Sequence, residues 1–198
     1  MIRLFVALDL PVELRSRMAL LSTGVLGARW VAPENLHLTL RFIGEVAEDR
    51  LIDITGALDR VKGAPFPLTL DGAGHFESGR RVRALWIGVE RSEALAAFQG
   101  RIETALVRGG LEPERRKFSA HVTLARLKNA RPGVVRDWLA ANTLFRAMPF
   151  TVDQFVLYAS FLGSGGPVYQ AVERFPLGGL GPTASPEPAD SFPSGIPG

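Results

Sequence analysis

The chain has 198 residues, 46% of them hydrophobic and 22% charged, the balance of a soluble globular protein of one moderate domain or two small lobes. It has no cysteine, which excludes a disulfide framework, a thiolate nucleophile and a thiolate metal site. The net charge of +3, from 20 arginines and 3 lysines against 20 acids, is far below that of a dedicated nucleic-acid coat protein.

In chain order, residues 2–8, IRLFVAL, are apolar and β-prone and predict a buried strand. Pro11 opens a helix through VELRSRMALLS, and residues 28–31 predict a short strand before Pro33. A strand over 36–43 is closed by Gly44. Residues 47–61 repeat apolar positions at three and four and predict a helix with acids in its first turn. FPLTLDGAGHF and RVRALWIGVE predict two further strands, and SEALAAFQGRIETALVRGG a helix ending at a glycine pair. FSAHVTLARL predicts a strand, RPGVVRDWLAAN a short helix, and FTVDQFVLYASFL a long strand paired with PVYQAVERFPL across a GSGG turn.

This order is an α+β fold, expected as two similar lobes, each with an antiparallel sheet lining a central groove and helices outside. The expected domain covers residues 1–177. Residues 178–198 hold five glycines and five prolines and are expected to be a disordered tail. No apolar run is long enough to span a bilayer. The N-terminus lacks the pattern of a secretory signal peptide, so a cytoplasmic location is expected, and no heptad suggests more than a monomer.

Two stretches carry the chemistry. In ENLHLTLRFIGE, alternation puts His37, Thr39 and Arg41 on one face and Leu36, Leu38, Leu40 and Phe42 on the other. In SAHVTLARL, His121 and Thr123 share a face while Val122 and Leu124 point to the core. One His-x-Thr face is ordinary. Two on matching strands, in a chain with three histidines, point to a paired acid and base. Histidine titrates near neutrality, so one ring can accept a proton while the other donates one. The threonine hydroxyls can hydrogen-bond a phosphate oxygen, and an arginine can meet the charge that builds there. The scheme needs no metal or other cofactor.

These two stretches, with the N-terminal FVALDLP and the pairs RFIGE and AR after the motifs, resemble the two-histidine phosphoesterases. Within them they resemble the bacterial and archaeal RNA 2′,3′-cyclic phosphodiesterases, historically called 2′-5′ RNA ligases. The resemblance runs over nearly all of residues 1–177. It implies hydrolysis of RNA 2′,3′-cyclic phosphate ends to 2′-phosphates, together with reversible 2′-5′ ligation. It implies His37 as general acid toward the ribose 3′ oxygen, His121 as general base toward water, and Arg126 as a phosphate ligand. Strict alternation puts Arg126 on the wrong face, reachable only if the strand bends near Ala125, and puts Arg41 on the right one. The expected site is therefore His37 and His121 as catalytic residues. Thr39, Thr123, Arg126, Arg41, Val122 and Leu124 are its expected substrate-binding residues.

Other readings stand beside this one. A paired-histidine groove could hold nucleotides without turnover, or act on another small cyclic phosphate. A two-histidine metal hydrolase would need a third ligand at recognisable spacing, such as HExxH, which the sequence lacks. Arginine forks suit phosphate, and Arg80, Arg81 and Arg83 cluster, as do Arg115, Arg116 and Lys117, yet arginine richness also tracks genomic base composition. His75 reads as a loop histidine, Tyr158 and Ser160 as hairpin support, and Trp30 and Phe42 as packing residues that could also stack on a base.

Overall fold

A computed structural model describes residues 1–79, 81–163 and 166–178. Arg80, the middle of the GSGG turn and the tail from residue 179 onward lie outside the described residues. In chain order the elements are β1 (Ile2–Asp9), α1 (Val12–Ala19), β2 (Ala28–Trp30), a 3-10 turn (Pro33–Asn35) and β3 (His37–Val46). Then come α2 (Arg50–Asp59), β4 (Phe66–Leu68), β5 (Leu70–Ser78), β6 (Arg81–Val89) and α3 (Glu93–Arg108). The second motif lies in β7 (His121–Leu127), followed by α4 (Pro132–Asn142), β8 (Phe150–Val152), β9 (Gln154–Gly163) and β10 (Gly166–Pro176). The helices form where the sequence predicts them. Ser92 caps α3 by accepting a hydrogen bond from the Leu95 amide at 3.1 Å.

The expected α+β architecture is present. Among the described residues, seven strands run β10-β9-β1-β3-β7-β6-β5, with β2 added on β7, and every pairing is antiparallel. The two halves meet at the β3–β7 seam, where one pair is in register, Leu38 with Val122. On either side of it each histidine strand is backed by one strand, β1 behind β3 and β6 behind β7. Two predicted strands each divide. Phe66–Leu68 and Phe150–Val152 leave the main sheet and pair with each other, so β4 and β8 form a separate ribbon. The core includes Leu4, Val6 and Leu8 of β1, Leu38 and Leu40 of β3, Val122 and Leu124 of β7, and Ile54, Phe98 and Ile102 of the helices. Among the described residues no helix is long and apolar enough to cross a membrane.

Both histidine strands carry one extra residue just past the threonine. Along β3, Thr39 pairs with Ala7 and Arg41 with Val6, leaving Leu40 without a partner on β1. Along β7, Thr123 pairs with Trp86 and Ala125 with Leu85, leaving Leu124 without one on β6. Each is a β-bulge, and each reverses which face the following residues take. Burial follows it. Leu40 and Arg41 are both buried and Phe42 is 57% exposed, while Leu124 and Ala125 are both buried and Arg126 is exposed. The Leu40 carbonyl accepts from the Gln99 side chain of α3 at 3.4 Å.

Leu38 sits at the seam with no exposed surface. Leu38→Ala should cost about 2–5 kcal/mol in urea unfolding through lost burial and the cavity left behind. A cost below about 1 kcal/mol would show that the seam is not packed as described.

Candidate active site

The seam pair fixes the site. With Leu38 beside Val122, antiparallel register sets His37 beside Thr123 and Thr39 beside His121, all on the face away from the seam leucine. Each histidine therefore neighbours the other strand's threonine. The two histidines occupy diagonal positions of the ladder, whose backbones lie roughly 7–8 Å apart, so both side chains rise from one face of the seam.

The rings are held alike. His37 Nδ1 donates to the Asn35 carbonyl at 2.7 Å, and His121 Nδ1 donates to the Ser119 carbonyl at 2.7 Å. A carbonyl only accepts, so Nδ1 carries the proton and Nε2 is left for the groove in both neutral rings. Aromatic side chains pack around each. Phe5 lies 4.9 Å and Tyr169 5.3 Å from the His37 ring, centroid to centroid. Phe76 lies 4.7 Å and Trp86 6.2 Å from the His121 ring. Gly74 makes room for this second wall, since a Cβ there would meet the Trp86 ring at 2.1 Å.

Burial lowers the pKa of both histidines from the ordinary 6.5. The two then differ. For His37, the carbonyl hydrogen bond and the Asp9 carboxylate pull the other way, while His121 and Arg126 add to the lowering. His121 has its carbonyl bond but, among the described residues, no carboxylate partner, and Arg126 lowers it further. Asp9 is the cross-strand partner of His37. Its carboxylate accepts from the Tyr158 hydroxyl and, at 2.7 Å, from Arg174. Burial and the Asp9 hydrogen bond keep the Tyr158 hydroxyl protonated far above its usual range.

The structure brings Arg126 onto the face of His121 and Thr123, because the Leu124 bulge supplies the bend that strict alternation lacks. The same device removes Arg41. The Leu40 bulge turns it inward, where Nε lies 2.6 Å from Glu103 and Nη1 3.2 Å from Glu114, and Nη2 donates to the Glu112 carbonyl at 2.6 Å. Arg41 is thus corrected from a substrate contact to a buried tie between β3, α3 and the segment leading to His121. Phe42, expected in the core, emerges on the groove face. Val122 and Leu124 are also corrected. Neither has exposed surface, and both side chains belong to the core.

Trp30 packs 6.1 Å from Trp138 and touches neither histidine. His75 lies in a strand rather than a loop, exposed and 3.9 Å from Glu77. Tyr158, read as hairpin support, reaches the His37 neighbourhood with its ring 6.4 Å away. Sequence reasoning missed Asp9, Arg174, Tyr169 and Trp86. Asp9 stands in the FVALDLP stretch already singled out, but nothing local marks its partners, which lie 149 and 165 residues away. Among the described residues no cluster of three or more histidine, aspartate or glutamate side chains could hold a metal ion.

Known proteins resemble the chain across both of its halves. The family described as LigT like Phosphoesterase matches the chain twice, over residues 8–86 and 87–169, one match per histidine motif. An RNA 2′,3′-cyclic phosphodiesterase of Archaeoglobus fulgidus is 34% identical over 87% of this chain and 99% of its own. The protein of that name from Escherichia coli is 31% identical over 88% of this chain and 96% of its own. The crystal structure of E. coli LigT complexed with 3′-AMP superposes with a TM-score of 0.72 at 31% identity, covering 89% of this chain and 98% of that one.

Proton NMR of the imidazoles should find both His37 and His121 titrating below 6.5. Depressed values mean the unfolded chain protonates first, so the stability these rings contribute is full above 6.5 and is lost as pH falls through their folded-state values. Asp9→Asn should lower His37 further and leave His121 unchanged. An unmoved His37 would remove Asp9 from the electrostatics of that ring.

Proposed function

We propose that this chain, which belongs to the LigT-like phosphoesterase family, hydrolyses RNA 2′,3′-cyclic phosphate ends to 2′-phosphates by histidine acid–base catalysis. The observation that carries the reading is the reciprocal seam, with each histidine beside the other strand's threonine and Nε2 of both rings left for the groove. Relatives bearing the name RNA 2′,3′-cyclic phosphodiesterase support the activity class.

In this scheme the cyclic phosphate sits between the rings. His121 Nε2 takes a proton from water as its oxygen attacks phosphorus. His37 Nε2, protonated, gives its proton to the departing ribose 3′ oxygen, and the phosphate remains on the 2′ oxygen. The environments favour that division of labour. Asp9 supports a charge on His37, whereas among the described residues no carboxylate supports one on His121. Thr39 and Thr123 donate to the non-bridging oxygens. Arg126 meets the growing negative charge in a partly dehydrated site. With the 5′-hydroxyl of a second RNA in place of water, the same groups open the cyclic phosphate to a 2′-5′ link, His121 taking the hydroxyl proton and His37 protonating the departing 3′ oxygen.

Incubating the protein with an oligonucleotide ending in a 2′,3′-cyclic phosphate, in excess EDTA, should yield the 2′-phosphate at an undiminished rate. His37→Ala and His121→Ala should each lower kcat/KM by about 10²–10⁴-fold. The pH profile of kcat/KM should peak on the acid side of 6.5, because both free-enzyme histidines are depressed. A 3′-phosphate product would reverse the assignment of His37 to the 3′ oxygen. Near-normal rates in either alanine variant would remove that ring from the mechanism. Binding without any hydrolysis would make the groove a nucleotide-binding module.

A further inference from the structure

Beyond Leu38 and Val122 the two histidine strands part. The gap between the outgoing end of β3 and the segment leading into His121 is a cavity of about 830 Å³. Thr39 and His121 line it, so it is continuous with the site. Two other features mark it. Phe42, 57% exposed, and Phe76, 37% exposed, present aromatic rings there, although a folded chain ordinarily covers such side chains. Arg116 and Lys117 line it as well and make no ion pair among the described residues.

We infer that this notch is a track for the nucleotide that precedes the cyclic-phosphate end, so that the protein selects a chain end over a free cyclic nucleotide. The inference rests on the RNA reading above and names the part of the RNA that the notch takes. Exposed aromatic rings beside free cations are the pattern of single-strand binding, because every base has a face to stack and every link a phosphate to neutralise. The cavity lies within the ~300–1,000 Å³ of pockets that enclose a whole small ligand, more than a cyclic phosphate alone needs. Two carboxylates also line the notch, Glu103 and Glu114, and Arg41 answers both. The same tie fixes the loop that carries the cations. Arg41 holds the Glu112 carbonyl, Glu103 accepts from the Glu114 amide at 2.7 Å, and Glu114 accepts from the Arg116 amide at 3.0 Å. A loop held this way before binding loses little freedom on binding.

The test compares a labelled trinucleotide ending in a 2′-phosphate with the matching mononucleoside 2′-phosphate, by fluorescence anisotropy and by competition. The wild-type protein should bind the trinucleotide at least about tenfold more tightly. Arg116→Ala/Lys117→Ala should remove most of that gain, leave mononucleotide affinity unchanged, and flatten the slope of log affinity against log salt by roughly 1.4, two single-strand phosphate contacts. Phe42→Ala should weaken the trinucleotide with the salt slope unchanged. Equal affinity for the two ligands, or a double variant that weakens both alike, would overturn the track. Hydrolysis with no preference for chain length would do the same and leave the phosphodiesterase reading standing. Length-dependent, salt-sensitive binding without hydrolysis of any cyclic end would sustain the track and sink that reading instead.

Discussion

A pleated strand shows alternate residues to opposite faces, and one extra residue reverses everything after it. The site depends on that reversal happening twice, one step beyond Thr39 and one step beyond Thr123. Before each bulge, a histidine and a threonine face the groove and leucine or valine faces the core. After it, the next residue but one returns to the groove. Without the bulge on β7, Arg126 would point into the apolar core. Without the bulge on β3, Arg41 would stand in the groove and its two carboxylates would lose their partner. A bulge also leaves ladder groups unpaired, and on β3 Gln99 of α3 answers the Leu40 carbonyl.

The two halves are alike in frame and unlike in charge. Both rings are fixed through Nδ1 to a carbonyl two residues back, and both lean on aromatic neighbours that exclude water. The residue that returns to the groove past the bulge is Arg126 in one half and Phe42 in the other. Opposite His37 stands Asp9, whose own charge is shared with Tyr158 and Arg174. Among the described residues no carboxylate pairs with His121 in the same way. A symmetric frame thus holds two rings in equivalent places, while asymmetric neighbours separate their proton affinities. Acid–base catalysis by two copies of one residue type requires that separation.

Arg41 shows how a largely buried charge can serve the site by holding the segments around it. Removing a guanidinium from water is costly unless it is well matched, and here Glu103, Glu114 and the Glu112 carbonyl match it. The result ties the middle of β3 to the segment that enters β7. That segment ends at Ser119, whose carbonyl sets the tautomer of His121. The ion cluster, the notch beside it and the orientation of the second ring are parts of one local structure.

Much of this was legible in the sequence. Apolar periodicity placed the four helices found among the described residues and the strands of both halves, because burial of one face is a local pattern repeated along each element. Two His-x-Thr motifs in a chain with three histidines mark a candidate acid–base pair, and their echo implies matched strands. Periodicity could not show where one residue would be skipped, since a bulge is defined by the partner strand and not by the strand that carries it. Hence Arg41, Phe42 and Arg126 were each assigned to the wrong face by alternation, and the family resemblance was the signal that still favoured Arg126. Nor could local pattern bring Asp9 to Tyr158 and Arg174, or Arg41 to Glu103 and Glu114, because those contacts join residues far apart in the chain. The sequence by itself determined which side chains could perform acid–base chemistry and on what kind of element they sit. The tertiary structure decided which of them share a face, which are neutralised and which charge each ring feels, because those depend on strand pairing and on packing between distant segments.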